Sequence, residues 1–451
     1  MALRLRACGN LLAGAAPLAL SGQVQTVSGL AVEVAGLGSQ LALGDRLTLE
    51  GRRGEAIPAE VVSFGRGTAR AMAFGALDGL GPGTAARVQR SGSGGTLAVS
   101  DRWLGRVIDP VGRPMDGRGP LPPGSEPRPV RAAPPDATTR ARLGERLDLG
   151  VRVLNGFATC RQGQRLGLFA GSGVGKSTLL SMLARYTQCD VAVLALVGER
   201  GREVREFLED DLGPEGLARS VVVVATSDSS PLMRREAAYT AMTVAEHFRD
   251  QGKSVLLLMD SVTRFCTALR EIGLSVGEPP ATRGYPPSVF AELPRLLERA
   301  GPGPVRPDGS AAHITAFFTV LVEGDDHNEP VADAVRGILD GHVVMDRRIG
   351  EAGRYPAVDV LRSLSRTVPG CLAPAEAEMV GHARAVLAVH AEMADLVRLG
   401  AYAPGTDPKV DEAIRVVPRI EAVLRQRRDE ATDLAGTFTA LREALQGGAV
   451  A

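Results

Sequence analysis

Lysine is nearly missing from this chain. Three occur, Lys176, Lys253 and Lys409, among 52 basic residues, so arginine carries almost all of the positive charge. Aromatics are scarce too, at 4% with a single Trp, which leaves few rings on which single-stranded bases could stack. Neither sign of charge is in excess: 52 basic residues balance 52 acidic ones, and no global field draws the chain toward nucleic acid. The five cysteines (Cys8, Cys160, Cys189, Cys266, Cys371) are odd in number, dispersed and without a Cys-x-x-Cys pair. That pattern excludes a disulfide framework and a thiolate zinc site and fits a reducing cytosol. The six histidines are scattered, which argues against a protein-held transition metal. No apolar run reaches the length of a membrane span. Arg4 and Arg6 followed by Leu11 to Leu20 superficially resemble an export signal, but Asn10, Gly14 and Pro17 interrupt the run. Residues 1–21 are therefore expected to be a short partner-binding or disordered segment.

Against that scarcity one lysine stands in a pattern that chance supplies poorly. Residues 170–177 read Ala-Gly-Ser-Gly-Val-Gly-Lys-Ser, between an apolar run (Leu166, Leu168, Phe169) and a helical pattern (Leu179, Leu180, Met182, Leu183). A strand, a glycine-rich loop and a helix in that order make a phosphate cradle. Glycines let backbone N–H groups turn inward, and the helix N-terminus adds positive potential. Gly171, Ser172, Gly173, Val174, Gly175 and Thr178 would line the cradle of a nucleotide site. Lys176 would reach the β- and γ-phosphates, where a compact ammonium fits and a planar guanidinium does not. Ser177 would present its hydroxyl to Mg²⁺. The literal pattern opens with Gly; Ala170 adds one methyl at the loop entry, which the backbone tolerates if φ stays negative.

A length of 451 residues suits two to three domains with ample core. Short β-rich runs alternate with glycine turns from about Gly22 to Ser91 (Gln23–Val27, Leu30–Val34, Arg46–Leu49, Ala59–Ser63, Ala86–Val88) and predict a small β-barrel. Only Phe64 and Phe74 lie in that stretch, too few for a base-stacking platform, so an assembly role is expected. Residues 109–135 are dense in Pro and Gly and read as a connector. Beyond it, apolar runs at Leu166–Phe169, Val191–Val197, Val221–Ala225, Val255–Met259 and Ile314–Val320 alternate with helical stretches, the signature of a parallel sheet. Ala375 to Leu445 is helical by period, broken near Gly405 and Pro408.

Two of those strands end in acids. Asp260 closes Val255-Leu-Leu-Leu-Met, where a strand beside the phosphate strand would carry a metal-holding carboxylate. Glu199 follows Val197-Gly and precedes Arg200; a carboxylate there can orient the water that attacks a γ-phosphate. A solvated helix start explains the charges from Arg202 onward but not Glu199 and Arg200 directly behind an apolar run.

Longer stretches carry a resemblance to a known family. Residues 170–177, Val197-Gly-Glu-Arg-Gly-Arg-Glu-Val204, Met259-Asp-Ser-Val-Thr-Arg-Phe265 and Gly277-Glu-Pro-Pro-Ala-Thr-Arg-Gly-Tyr-Pro-Pro-Ser-Val-Phe290 resemble the catalytic subunits of rotary ATPases. The likeness is strongest to the flagellum-specific type III export ATPases, and extends through 322–342, Arg354–Asp359 and Leu399–Pro408, spanning about residues 22–425. The resemblance implies an α/β chain: a RecA-like P-loop NTPase core over 96–370, an N-terminal β-barrel over 22–95 and a C-terminal helical domain over 371–451. It also implies roles. Glu199 matches the catalytic glutamate, Arg200 a phosphate-proximal arginine, Tyr355 the ring that stacks on adenine, and Arg366, in Ser-Leu-Ser-Arg, a finger reaching into a neighbour's site. Arg283 is a weaker candidate in a Pro-flanked loop.

A chain holding Lys176, Glu199 and Arg366 together suits a homohexameric ring in which each copy both catalyses and activates its neighbour. By resemblance its cofactors are ATP and Mg²⁺. Its partners are a stator-like regulator, a central coiled-coil stalk protein, a membrane export gate, chaperones and flagellar export substrates, with no nucleic acid. Its place is cytoplasmic, peripheral at the inner-membrane export apparatus. The short N-terminal extension and His327, which interrupts an acidic loop, depart from the family pattern. The alternatives are a virulence-type secretion ATPase, a hexameric RNA translocase and a non-enzymatic nucleotide-sensing scaffold.

Overall fold

A computed structural model of the chain describes residues 20–52, 54–89, 95–322 and 329–447. The expectations attached to the N-terminal segment and to His327 lie outside the described residues. The chain divides into two compact units. One comprises the residues up to Thr96 with Ser230–Leu232 and Glu271–Pro279; the other comprises Leu97–Ser229, Met233–Arg270 and Pro280 onward.

In the first unit, among the described residues, six strands close into an antiparallel barrel in the order Ser21–Ser28, Ala31–Ala35, Ala69–Ala73, Ala56–Phe64, Arg46–Glu50, Ala85–Gln89. Alternate residues (Val32 and Val34; Leu47 and Leu49; Ile57, Ala59 and Val61) point into its core, as the two-residue period of a strand requires. Sequence reading missed the strand Ala69–Ala73, which has no β-branched residue; its Arg70 pairs across the ladder with Glu33 at 3.0 Å. Phe74 is buried with the Arg46 guanidinium 4.2 Å from its ring centre, so this ring is not offered for stacking.

The second unit is built on a sheet ordered Val358–Ser365, Gly341–Met345, Arg165–Ala170, His313–Leu321, Val255–Asp260, Val191–Glu199, Ser220–Thr226, Arg106–Ile108. Pairing is parallel from Gly341–Met345 through Arg106–Ile108, while Val358–Ser365 runs antiparallel at one edge. Both faces are covered. Strand Val191–Glu199 sends Val193, Ala195 and Val197 into one layer and Ala192, Leu194 and Leu196 into the other. The strand holding Asp260 is not beside the phosphate strand as expected: His313–Leu321 lies between them. The fold is α/β, a P-loop core with a β-barrel and C-terminal helices.

The C-terminal helices belong to the same compact unit as the sheet. Helix Pro408–Leu424 buries Val410, Ala413, Val416, Val417, Ile420, Val423 and Leu424, one stripe at helical spacing. Asp407 caps it, accepting from Lys409 N at 2.8 Å, and Pro408 fills the first turn, where no N–H is needed. The Pro-rich connector is pinned from several sides. Asp116 accepts from Arg106 Nε (2.7 Å) and Nη2 (2.9 Å), and Trp103 Nε1 donates to Pro122 O (2.9 Å).

Candidate active site

The loop after strand Arg165–Ala170 turns into helix Lys176–Tyr186 through Gly175, whose φ of +91° only glycine adopts readily. The requirement is conformational, because a Cβ there would meet the Tyr355 ring at an ordinary contact distance of 3.4 Å. The amides of Gly175, Lys176, Ser177 and Thr178 have no intrahelical acceptor and find no other among the described residues. Four N–H groups converging at a helix start fit a phosphate chain.

Lys176 Nζ donates to Asp260 Oδ1 at 2.5 Å and to Glu199 Oε1 at 3.4 Å. Thr319, on the intervening strand, donates its hydroxyl to the same Asp260 oxygen at 2.7 Å. Burial opposes the charge on Lys176, but Asp260 and Glu199 outweigh it and hold the ammonium above its ordinary pKa. Glu199 moves the same way for different reasons. Burial raises its carboxyl, Asp260 adds to the rise and Lys176 offsets part of it.

A bulge aims Glu199. The register of strand Val191–Glu199 shifts between Val197 and Glu199, and Gly198 between them sits at φ +74°. A Cβ on Gly198 would come within 3.2 Å of the Arg264 stem. The glycine therefore re-aims Glu199 and makes room for an arginine. Arg264 Nε is buried and has no hydrogen-bond partner among the described residues, in the wall of a cleft of about 750 Å³ shared with the glycine loop, Glu199 and Arg347. A buried guanidinium nitrogen without a partner among the described residues, lining the same cleft as Lys176, suits an anionic substrate.

The residues predicted from sequence are placed as follows. Residues 171–178 apart from the buried Val174, together with Glu199, line the cleft, and Asp260 is tied to it through Lys176. Ser177 is exposed in the first turn of helix Lys176–Tyr186. Arg200 stands at the cleft rim, largely exposed and paired with Glu203 at 3.1 Å, not tucked behind the strand. Tyr355 lies against Gly175 and lines a second cavity of about 570 Å³ with Thr178, Met182 and the segment Arg425–Asp429. Arg366 is not brought to its own chain's cleft. Its N–H donates to Asp340 O (3.0 Å), and Asp340 pairs with Arg165 at the opposite end of the phosphate strand. That end is five residues from Ala170, about 17 Å at the strand rise. Arg366 is exposed there. Arg283 takes a left-handed backbone (φ 49°) in its loop.

Sequence reasoning missed Thr319, Arg264, Arg347 (whose Nη2 donates to Ser172 O at 2.9 Å) and Arg425–Asp429. For Arg264 a signal existed, since it lies one helical turn past Asp260 in Met-Asp-Ser-Val-Thr-Arg-Phe. The others are joined to the site only by tertiary folding. Among the described residues no cluster of three His, Cys, Asp or Glu could cage a metal. Mg²⁺ needs no cage, because it is held by one or two protein oxygens together with substrate phosphates and water, and the Ser177 hydroxyl and Asp260 carboxylate have the right chemistry. No helix among the described residues is long and apolar enough to cross a membrane.

Comparison with known proteins agrees with this geometry. Residues 150–365 match the nucleotide-binding domain of the ATP synthase alpha/beta family, residues 24–91 its beta-barrel domain, and residues 372–443 the T3SS EscN ATPase C-terminal domain. The flagellum-specific ATP synthase of Caulobacter vibrioides is 57% identical over 95% of this chain and 97% of its own. The type 3 secretion system ATPase of Xanthomonas euvesicatoria is 47% identical over 93% of each chain. The assembled ATPase EscN of enteropathogenic E. coli, solved in complex with its central stalk EscO, superposes with a TM-score of 0.84. It is 38% identical, and the match covers 94% of this chain and 100% of that one.

Proposed function

The chain belongs to the ATP synthase alpha/beta family, among the flagellum-specific and type III secretion ATPases, and is an ATPase; from that premise we propose that it powers flagellar protein export as a homohexameric ring. The observation that carries the proposal is the split of its charged groups. Lys176, Asp260 and Glu199 converge on one cleft, while Arg366 stands exposed at the far end of the same sheet. A phosphoryl transition state needs cations on the side opposite the P-loop, and an arginine supplied by a neighbour is worth roughly 10³–10⁵ in rate.

In the cycle we propose, the loop amides and Lys176 hold the β- and γ-phosphates and Tyr355 stacks on the base. Glu199 takes a proton from water as its oxygen bonds to the γ-phosphorus. The bond from that phosphorus to the β–γ bridging oxygen breaks, leaving ADP and inorganic phosphate, with Arg264 and the neighbour's Arg366 countering the charge. Mg²⁺, held by Ser177 and Asp260, would neutralise charge on the phosphate oxygens. Lys176 bonds Asp260 directly in the structure, so substrate entry exchanges that ion pair for contacts to phosphate.

Further partners follow as proposals: a central stalk like the one in the EscN complex, a stator-like regulator, a membrane export gate, chaperones and their export substrates, all at the cytoplasmic side of the inner membrane. We favour flagellar over virulence export on the 57% identity to a flagellum-specific relative. Glu199→Gln tests the enzymatic reading. Hydrolysis should fall by at least about 10²-fold while ATP binding survives; an unchanged rate removes Glu199 from catalysis. Loss of motility in a strain carrying only this variant would assign the work to the flagellum, and a non-enzymatic scaffold predicts normal swimming.

A further inference from the structure

The cavity beside Tyr355 has a wall, Arg425–Asp429, that belongs to no helix or strand. Its shape must come from what anchors it. The first anchor is the Arg152 guanidinium, which donates to Val423 O (2.7 Å) and Arg425 O (2.7 Å). The second is the end of the P-loop helix, where Tyr186 Oη donates to Arg428 O at 3.0 Å. The third is Gln426, the one buried residue in the segment at 3% exposure. Its Nε2 donates to Gly150 O (2.8 Å) and Glu430 O (2.9 Å), and its Oε1 accepts from Arg152 N (2.8 Å). Both amide protons and the carbonyl are thus used, and the partners fix the amide's orientation. Its own N–H donates to Tyr355 O at 2.8 Å, so one residue ties the ring on one side of the cavity to the wall on the other.

We infer that Gln426 is the positioning residue of the base subsite: it sets the gap between Tyr355 and the wall Arg425–Asp429 into which a purine ring slides, and does no work on the phosphates. The inference rests on the assignment of this cleft to ATP. The division of labour is legible in the geometry. The phosphate amides, Lys176 and Glu199 are held by the strand ends of the sheet, and none of them bonds Gln426. A base-bearing ligand therefore feels Gln426, and a ligand made only of phosphate does not.

Steady-state hydrolysis by the full-length Gln426→Ala protein, with Mg²⁺-tripolyphosphate as a competing inhibitor that lacks a base, tests this. KM for ATP should rise about tenfold with kcat within about twofold, while the inhibition constant of tripolyphosphate stays unchanged. Tyr186→Phe removes one of the two donors to Arg428 O, the Arg185 guanidinium being the other, and should give the same split at about two- to threefold, so the test survives if the Gln426 variant fails to fold. Equal weakening of ATP and tripolyphosphate overturns the inference, since it marks a structural role; an unchanged KM in both variants overturns it as well. Failure of the wild-type protein to hydrolyse ATP would instead overturn the assignment of the cleft.

Discussion

Glu199 is a carboxylate working against its surroundings. Burial raises its pKa above the ordinary 4.5, Asp260 adds to that and Lys176 offsets part. The form that accepts a proton from water is the carboxylate, and it is lost as pH falls through this raised value. Hydrolysis should therefore decline on the acid side at a higher pH than an ordinary glutamate would give, and bound γ-phosphate pushes the limb further up. Single-turnover rates against pH check this; an acid limb in the usual carboxylate range would contradict it. Gly198 makes a second residue-scale prediction. Its φ of +74° costs an alanine about 1–2 kcal/mol of backbone strain, and the new methyl meets the Arg264 stem at 3.2 Å. Gly198→Ala should lower kcat by at least about tenfold, because relief of that strain moves Glu199 or Arg264. An unchanged kcat would show that the bulge aims neither.

At the scale of elements, the Pro-rich stretch 109–135, which follows strand Arg106–Ile108 within the second unit, has little regular structure of its own and is held by individual side-chain contacts. Asp116 and Arg106 are both nearly buried and joined by two hydrogen bonds; the bond from Arg106 is the main reason the Asp116 carboxyl lies well below the usual range. A depressed carboxylate adds stability that is present above its unfolded pKa and is lost as pH falls through the folded one. Asp116→Asn leaves a buried guanidinium without its counter-charge and should destabilise the connector by about 3 kcal/mol at neutral pH. The chain's single Trp is the reporter, since Trp103 is buried and bonded to Pro122 in the same connector. Its emission should shift at lower denaturant in the variant, and coincident curves would refute the role. Legibility at this scale followed side-chain pattern. Strands such as Val191–Glu199 announced themselves by unbroken apolar runs, because both faces are buried. Ala69–Ala73 did not, because small residues and an arginine carry no strand signal until a barrel supplies the neighbours. The insertion of His313–Leu321 between the phosphate strand and the Asp260 strand is a matter of topology, which local sequence does not encode.

At the scale of the whole molecule, the site divides by how its parts are brought together. Gly171 to Thr178 were legible because one local turn contains them, and Glu199 and Asp260 because strand ends advertise themselves. Arg347 and Arg425–Asp429 were not, since they meet the loop only across long spans of chain. Arg366 is the opposite case: resemblance assigned it a role in a site, and the fold sets it at the far end of the sheet from its own P-loop. A shared site therefore requires that Arg366 work in a second copy of the chain. Arg366→Ala and Glu199→Gln proteins, each inactive alone, should regain ATPase activity when mixed before assembly. About a quarter of interfaces in an equal mixture would then pair an intact Glu199 with an intact Arg366. A mixture as inactive as its two components would contradict the shared site.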